Sequence, residues 1–195
     1  MIDQRQRLSI WARRLRAGAC DETALGLAPP DSAWGAEVGS APDRQVWHVA
    51  TSVEVPSDHG LGRIPGLRID GDGPLLQRGA TDAVEVWVDR ELAAMHALGR
   101  IARRLERAAW FDRLRRAVEW HVEHTGTENA THRPWAVHLF VLHGSPDPEF
   151  FASGQLHAVT VEHGGARPDP CTAWILRDAA RELDLAVEGA ASGLP

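Results

Sequence analysis

His121, Asn129 and His138 are the residues whose types and positions best support polar chemistry in this chain. Imidazoles exchange protons near neutral pH, and a carboxamide both donates and accepts hydrogen bonds. His121 lies four residues before Thr125, near the end of a predicted helix, and His138 lies four after Pro134, near the start of the next. At about 1.5 Å per residue each is about 6 Å from the intervening loop, so antiparallel packing sets them at one height. Asn129 belongs to the loop above. Buried imidazoles without partners cost roughly 1–3 kcal/mol each, so the expectation is a satisfied polar network that fixes the hairpin. The sharper alternative is a pocket floor where one histidine serves as acid or base.

Other residue groups carry less. His121 and His124 are three apart, but no further ligand accompanies them and zinc-helix spacings fail, so no metal is expected. Cys20 and Cys171 form neither a CxxC pair nor a disulfide framework. The loop Gly60-Leu61-Gly62-Arg63-Ile64-Pro65-Gly66 has the wrong final spacing for a nucleotide-binding glycine loop, and no strongly patterned helix follows it. Asp70-Gly71-Asp72-Gly73 lacks the later ligands of a calcium loop and reads as a turn. HExxH, GxSxG and P-loop motifs are absent, and no cofactor is expected. Asn129-Ala130-Thr131 fits a glycosylation sequon, which has no meaning for a protein of the bacterial cytosol.

Composition narrows the chemistry further. All 21 basic residues are arginine, with no lysine and no tyrosine, and Asn129 is the only asparagine. A chain without lysine forms no Schiff base and offers no P-loop ammonium. Proton traffic must use His, Asp, Glu, Cys or water. The apolar fraction of 44% is that of an ordinary globular protein. No apolar run approaches a membrane span, and the N-terminus lacks a secretory apolar stretch, so the expected location is the cytoplasm with no membrane partner.

The elements that must position these residues divide into an N-terminal extension, 1–81, and a helical-hairpin domain, 82–195. Residues 3–17 read as a helix carrying Leu8, Trp11 or Ala12, and Leu15 on one face. Residues 18–81 hold ten glycines and six prolines. Within them Trp47, Val49, Thr51, Val53 and Val55 alternate as a strand does, with Leu67 and Ile69 as a short partner: a small β-hairpin in an otherwise irregular region. From residue 82 the period becomes helical. Val88, Leu92, Met95, Leu98, Ala102 and Leu105 mark one helix; Phe111, Leu114, Val118, His121 and Val122 mark a second over about 108–124. The third, 134–142, opens at Pro134 and is apolar all round, so it should be central and buried. Asp147-Pro148 and Asp169-Pro170 each read as an N-cap followed by first-turn proline, opening helices over about 148–163 and 170–186. The fold class is mainly α, with antiparallel helical hairpins after residue 82.

Between residues 99 and 117 seven arginines face only Glu106 and Asp112. Arg100, Arg104, Arg107 and Arg115 form a candidate anion-binding face, weighed against a solvated surface paired with the protein's own carboxylates. Trp120-His121-Val122-Glu123-His124-Thr125 and Glu128-Asn129-Ala130-Thr131-His132-Arg133-Pro134-Trp135-Ala136-Val137-His138 resemble a family of bacterial helical proteins with no assigned activity. The resemblance extends into Gly165-Ala166-Arg167-Pro168-Asp169 and Ala173-Trp174-Ile175-Leu176. It spans 82–183 and implies a recurring helical unit. Three function classes follow. A helical interaction or scaffold module with a protein partner ranks first, because the pattern explains packing and no complete catalytic set is visible. A small-molecule binder or His-dependent enzyme, with a pocket among the helices, comes second. Association with nucleic acid or an acidic partner through Arg100–Arg116 comes third.

Overall fold

The computed structural model describes residues 3–20, 41–52, 61–126, 133–162 and 167–191. Within these the chain is mainly helical, with seven helices: α1 (Gln4–Ala19), α2 (Pro42–Thr51), α3 (Val84–Arg104), α4 (Ala108–His124), α5 (Val137–His143), α6 (Pro146–Glu162) and α7 (Pro170–Ala191). Chain contacts divide them into two compact units. One joins α1 to everything from residue 133 onward; the other is the intervening stretch with α2, α3 and α4.

In the first unit α1 packs chiefly along α7, burying Leu8, Trp11, Ala12 and Leu15, the face expected from their spacing. Asp3 caps α1 by accepting from the Gln6 backbone N–H. Arg7 reaches off the helix, donating to the Val141 carbonyl at 2.9 Å and pairing with Glu149, so that α1, α5 and α6 meet at one guanidinium. The α5 region is the interior of this unit: every residue from Pro134 to Val141 is buried, and Phe140 stacks on Phe151 of α6 at 4.4 Å between centroids. Its helix begins at Val137, three residues later than expected. Ala136 adopts the left-handed conformation (φ 57°), so Pro134 and Trp135 belong to the turn leading in. The α5–α6 junction turns at Gly144 (φ 81°), where a Cβ would come within 3.1 Å of the Arg7 guanidinium. α6 starts at Pro146, placing Asp147 in its first turn rather than at the cap.

In the second unit α2 and α4 both pack on α3. Residues Trp87–Gly99 of α3 are buried almost all round. The expected strand at 46–55 is corrected: Trp47 to Thr51 is the body of α2, and Val53 and Val55 lie outside the described residues. Pro42 and Asp43 open the helix, and Val46, Trp47 and Ala50 form its buried side, a three-to-four residue spacing that outweighs the alternation of Trp47, Val49 and Thr51. Leu67 does pair in β fashion, but with Leu76, by a single antiparallel bridge inside the 61–82 loop.

Candidate functional site

The predicted trio falls in separate places. His121 belongs to the second unit and His138 to the first, while Asn129 lies outside the described residues. His138 is buried on α5. Gln155 of α6 is buried in the same unit and donates to the Trp135 carbonyl at 3.1 Å.

His121 sits at the centre of the most elaborate polar arrangement among the described residues. It occupies the inner face of α4, seven residues after Leu114 and four after Ala117. Its Nδ1 lies 2.8 Å from the Thr125 hydroxyl, and its Nε2 lies 3.5 Å from Glu91 Oε1. That second distance is long for a hydrogen bond and serves as an electrostatic contact. Glu91 is fully buried on α3 and is occupied elsewhere: its two oxygens accept the backbone N–H groups of Leu75 and Leu76, each at 2.6 Å. Trp87, one turn earlier on α3, donates its indole N–H to the Leu76 carbonyl at 3.2 Å and stacks near His121.

The opposite side of the same loop is held by Arg113 of α4. Its guanidinium donates to the carbonyls of Arg68 (3.1 Å), Gly73 (2.8 Å) and Pro74 (2.9 Å). Burial holds its pKa below the usual arginine range, opposed by the Glu91 charge. Gly73 takes φ 85° with Trp120 against it, so the loop turns where a side chain would be strained. One carboxylate thus collects the loop's donors and one guanidinium its acceptors. Chemically the arrangement is a latch that fixes the 61–82 segment on α3 and α4.

The arginines proposed as an anion-binding face are engaged within the second unit. Arg104 donates to the carbonyls of Ala50 (3.2 Å) and Ser52 (2.8 Å), closing the C-terminal end of α2. Arg115 pairs with Glu119 one turn on, and Arg100 and Arg107 lie over the rings of Trp47 and Trp110. His96, buried against Trp47 at 5.5 Å, and Asp43, whose carboxyl is pushed up mainly by burial, complete the polar groups near α2.

Sequence reasoning missed Glu91 and counted Arg113 only as one of the seven arginines between residues 99 and 117. The signal was present: Glu91 interrupts the Val88–Met95–Leu98–Ala102 stripe, and Arg113 the Trp110–Ala117–His121 stripe, at helical spacing. A charge inside an apolar stripe needs a partner, and the loop's own backbone supplies it. Histidines 48 and 124 are exposed, and residues 59, 132 and 163 lie outside the described set. Among the described residues no group of three or more His, Cys, Asp or Glu side chains is placed to hold a metal ion, and no helix is long and apolar enough to cross a membrane. No protein-family model, curated protein or solved structure matches this chain.

Proposed function

We propose that this chain is a helical interaction module, of the cytoplasmic bacterial kind its sequence resembles, and that it binds a protein partner through the outward strip of α6. One observation carries the reading. Phe150 is 71% exposed and Val161 62% exposed, and both lie on one side of α6. At about 100° per residue, Phe150, Ser153, Gly154, His157 and Val161 fall within an arc of about 100°. That strip holds no Asp, Glu or Arg. Two of the three exposed large apolar side chains among the described residues thus share one side of one helix, and apolar surface gathered in one place is what marks an interaction site. The use of Glu91, Arg113 and Arg104 as fasteners of their own backbone supports the same reading, because it leaves the conspicuous polar groups with structural work. Short links at 105–107 and 144–145 suit the helical-hairpin arrangement expected of a scaffold.

A photo-crosslinking residue installed at position 150 or 161 in the cell of origin tests it. The expected result is one discrete adduct from both positions and none from a control at 115. The captured species, once identified and purified, binds the wild-type protein and loses about tenfold or more in affinity to Phe150→Asp. Absence of an adduct, or equal affinity for the two proteins, overturns the reading.

A further inference from the structure

We infer that the partner presents an acidic amphipathic helix, received between the α6 strip and an arginine edge on α1. This rests on the proposal that the α6 strip is a contact surface and adds the chemistry of its occupant. Helix α1 carries Arg5, Arg7, Arg13, Arg14 and Arg16 and no acidic residue within its 16 positions. Arg7 and Arg16 are spent on Glu149 and Asp184. Arg13 and Arg14 are exposed and pair with no carboxylate among the described residues. Their position relative to the strip follows from contacts inside the first unit. Arg7 meets Glu149, and a Cβ on Gly18 would touch Leu156, so one flank of α1 faces the Glu149–Leu156 side of α6. Arg14 follows Arg7 by seven residues and therefore sits on that flank, its guanidinium held 4.3 Å over the Trp11 ring. Across from it, Thr160 lies between the Glu149–Leu156 side and the apolar strip, with Ser153 at the strip's near edge.

The surface thus reads, from α1 to α6, as guanidinium, small polar floor, then apolar wall. Phe150 and Val161 are eleven residues apart, about 16 Å, or three turns of a partner helix. Apolar anchors at i, i+3/i+4, i+7 and i+11 would span Phe150 to Val161, while carboxylates one side round would meet Arg14, with Arg13 about 100° further round α1. Charge complementarity sets the sign of the partner. A basic amphipathic helix is refused by the same edge. Two guanidiniums that meet no carboxylate among the described residues are few for nucleic acid, whose affinity grows with the number of phosphates neutralised, and the chain carries net charge −6.

Fluorescence anisotropy on the full chain tests this with a designed helical peptide of about 14 residues, leucines on one face and glutamates on the other, beside a twin with lysine for glutamate. The acidic peptide should bind, and its affinity should fall about tenfold or more with Phe150→Asp and with the pair Arg13→Glu, Arg14→Glu, and fall further as salt is raised. Arg14→Gln, which removes only one charge, should cost a few-fold and guards against a folding artefact, with unchanged circular dichroism as the control. The inference is overturned if the lysine twin binds as well, if neither peptide binds, or if the arginine pair can be reversed without effect. It is also overturned if single-stranded DNA or phosphatidylserine vesicles bind through Arg13 and Arg14 without needing Phe150. Self-association abolished by Phe150→Asp would give the strip to a second copy and overturn it too. A discrete crosslink from position 150 alongside any of these leaves the contact surface standing and removes only the acidic helix.

Discussion

At the scale of single residues, the charged groups with defined work in this protein serve the backbone. Asp169 caps α7, accepting from the Cys171 N–H at 2.9 Å and from the Thr172 N–H and hydroxyl. Burial alone would raise its pKa; the Thr172 and Cys171 hydrogen bonds and the Arg133 charge outweigh burial and hold it below 3.8. Because the folded value lies below the unfolded one, the stability Asp169 supplies is present above about pH 3.8 and is lost as pH falls through the folded pKa. Asp169→Ala should lower stability by about 0.5–2 kcal/mol at neutral pH, and the loss should shrink as the pH approaches the acid window. Denaturant midpoints at several pH values measure this; a deficit independent of pH would remove the carboxylate from the account. Arg113→Ala strands three carbonyls and the Glu91 charge, and should cost about 3–5 kcal/mol. Hydrogen exchange should then show the Leu75 and Leu76 amides losing protection before the rest of the second unit. Glu91 and Arg113 were legible only as interruptions in apolar stripes. Nothing in one dimension says that their partners are peptide groups 15 to 45 residues away.

Among elements, the long periodic helices could be read directly and the short ones could not. α3, α4 and α7 each run 17 residues or more, long enough for the 3.6-residue period to dominate. The ten-residue α2 offers only Val46, Trp47 and Ala50 as its helical signature, and β-branched Val49 and Thr51 imitate a strand. Its C-terminal end is finished by Arg104, a residue no local rule links to it. The burial of the α5 region was read correctly, its first turn was not: Pro134 opens a turn that passes through left-handed Ala136, and the helix starts only at Val137. Leu139 is buried in this segment, and Leu139→Ala should cost about 2–5 kcal/mol. A thermal shift corresponding to less than about 1 kcal/mol would show that neighbouring side chains collapse into the space.

Taken as a whole molecule, the chain does not divide where its composition changes. Glycine and proline content suggests a boundary near residue 81, yet the second unit runs across it, because the latch ties 61–82 to α3 and α4. The first unit is discontinuous, built from α1 and the C-terminal third. A fragment comprising residues 41–126 should therefore retain helical circular dichroism and unfold cooperatively. A fragment starting at 133 should be poorly folded until a peptide of residues 3–20 is added. Cooperative folding of the C-terminal fragment alone would show α1 to be an accessory.

That discontinuity also has a consequence in time. α1 leaves the ribosome well before its main partner, α7. Some 150 residues separate Ala19 from Pro170, which at about 5–20 residues per second is a wait of roughly 8–30 s. Throughout it Leu8, Trp11 and Leu15 lack the helix they chiefly pack along, whereas the second unit completes itself midway. A nascent chain stalled before α7 should present an arginine-rich, tryptophan-bearing helix to whatever waits at the exit tunnel, so its dependence on folding helpers should be set by α1 rather than by the longest helix.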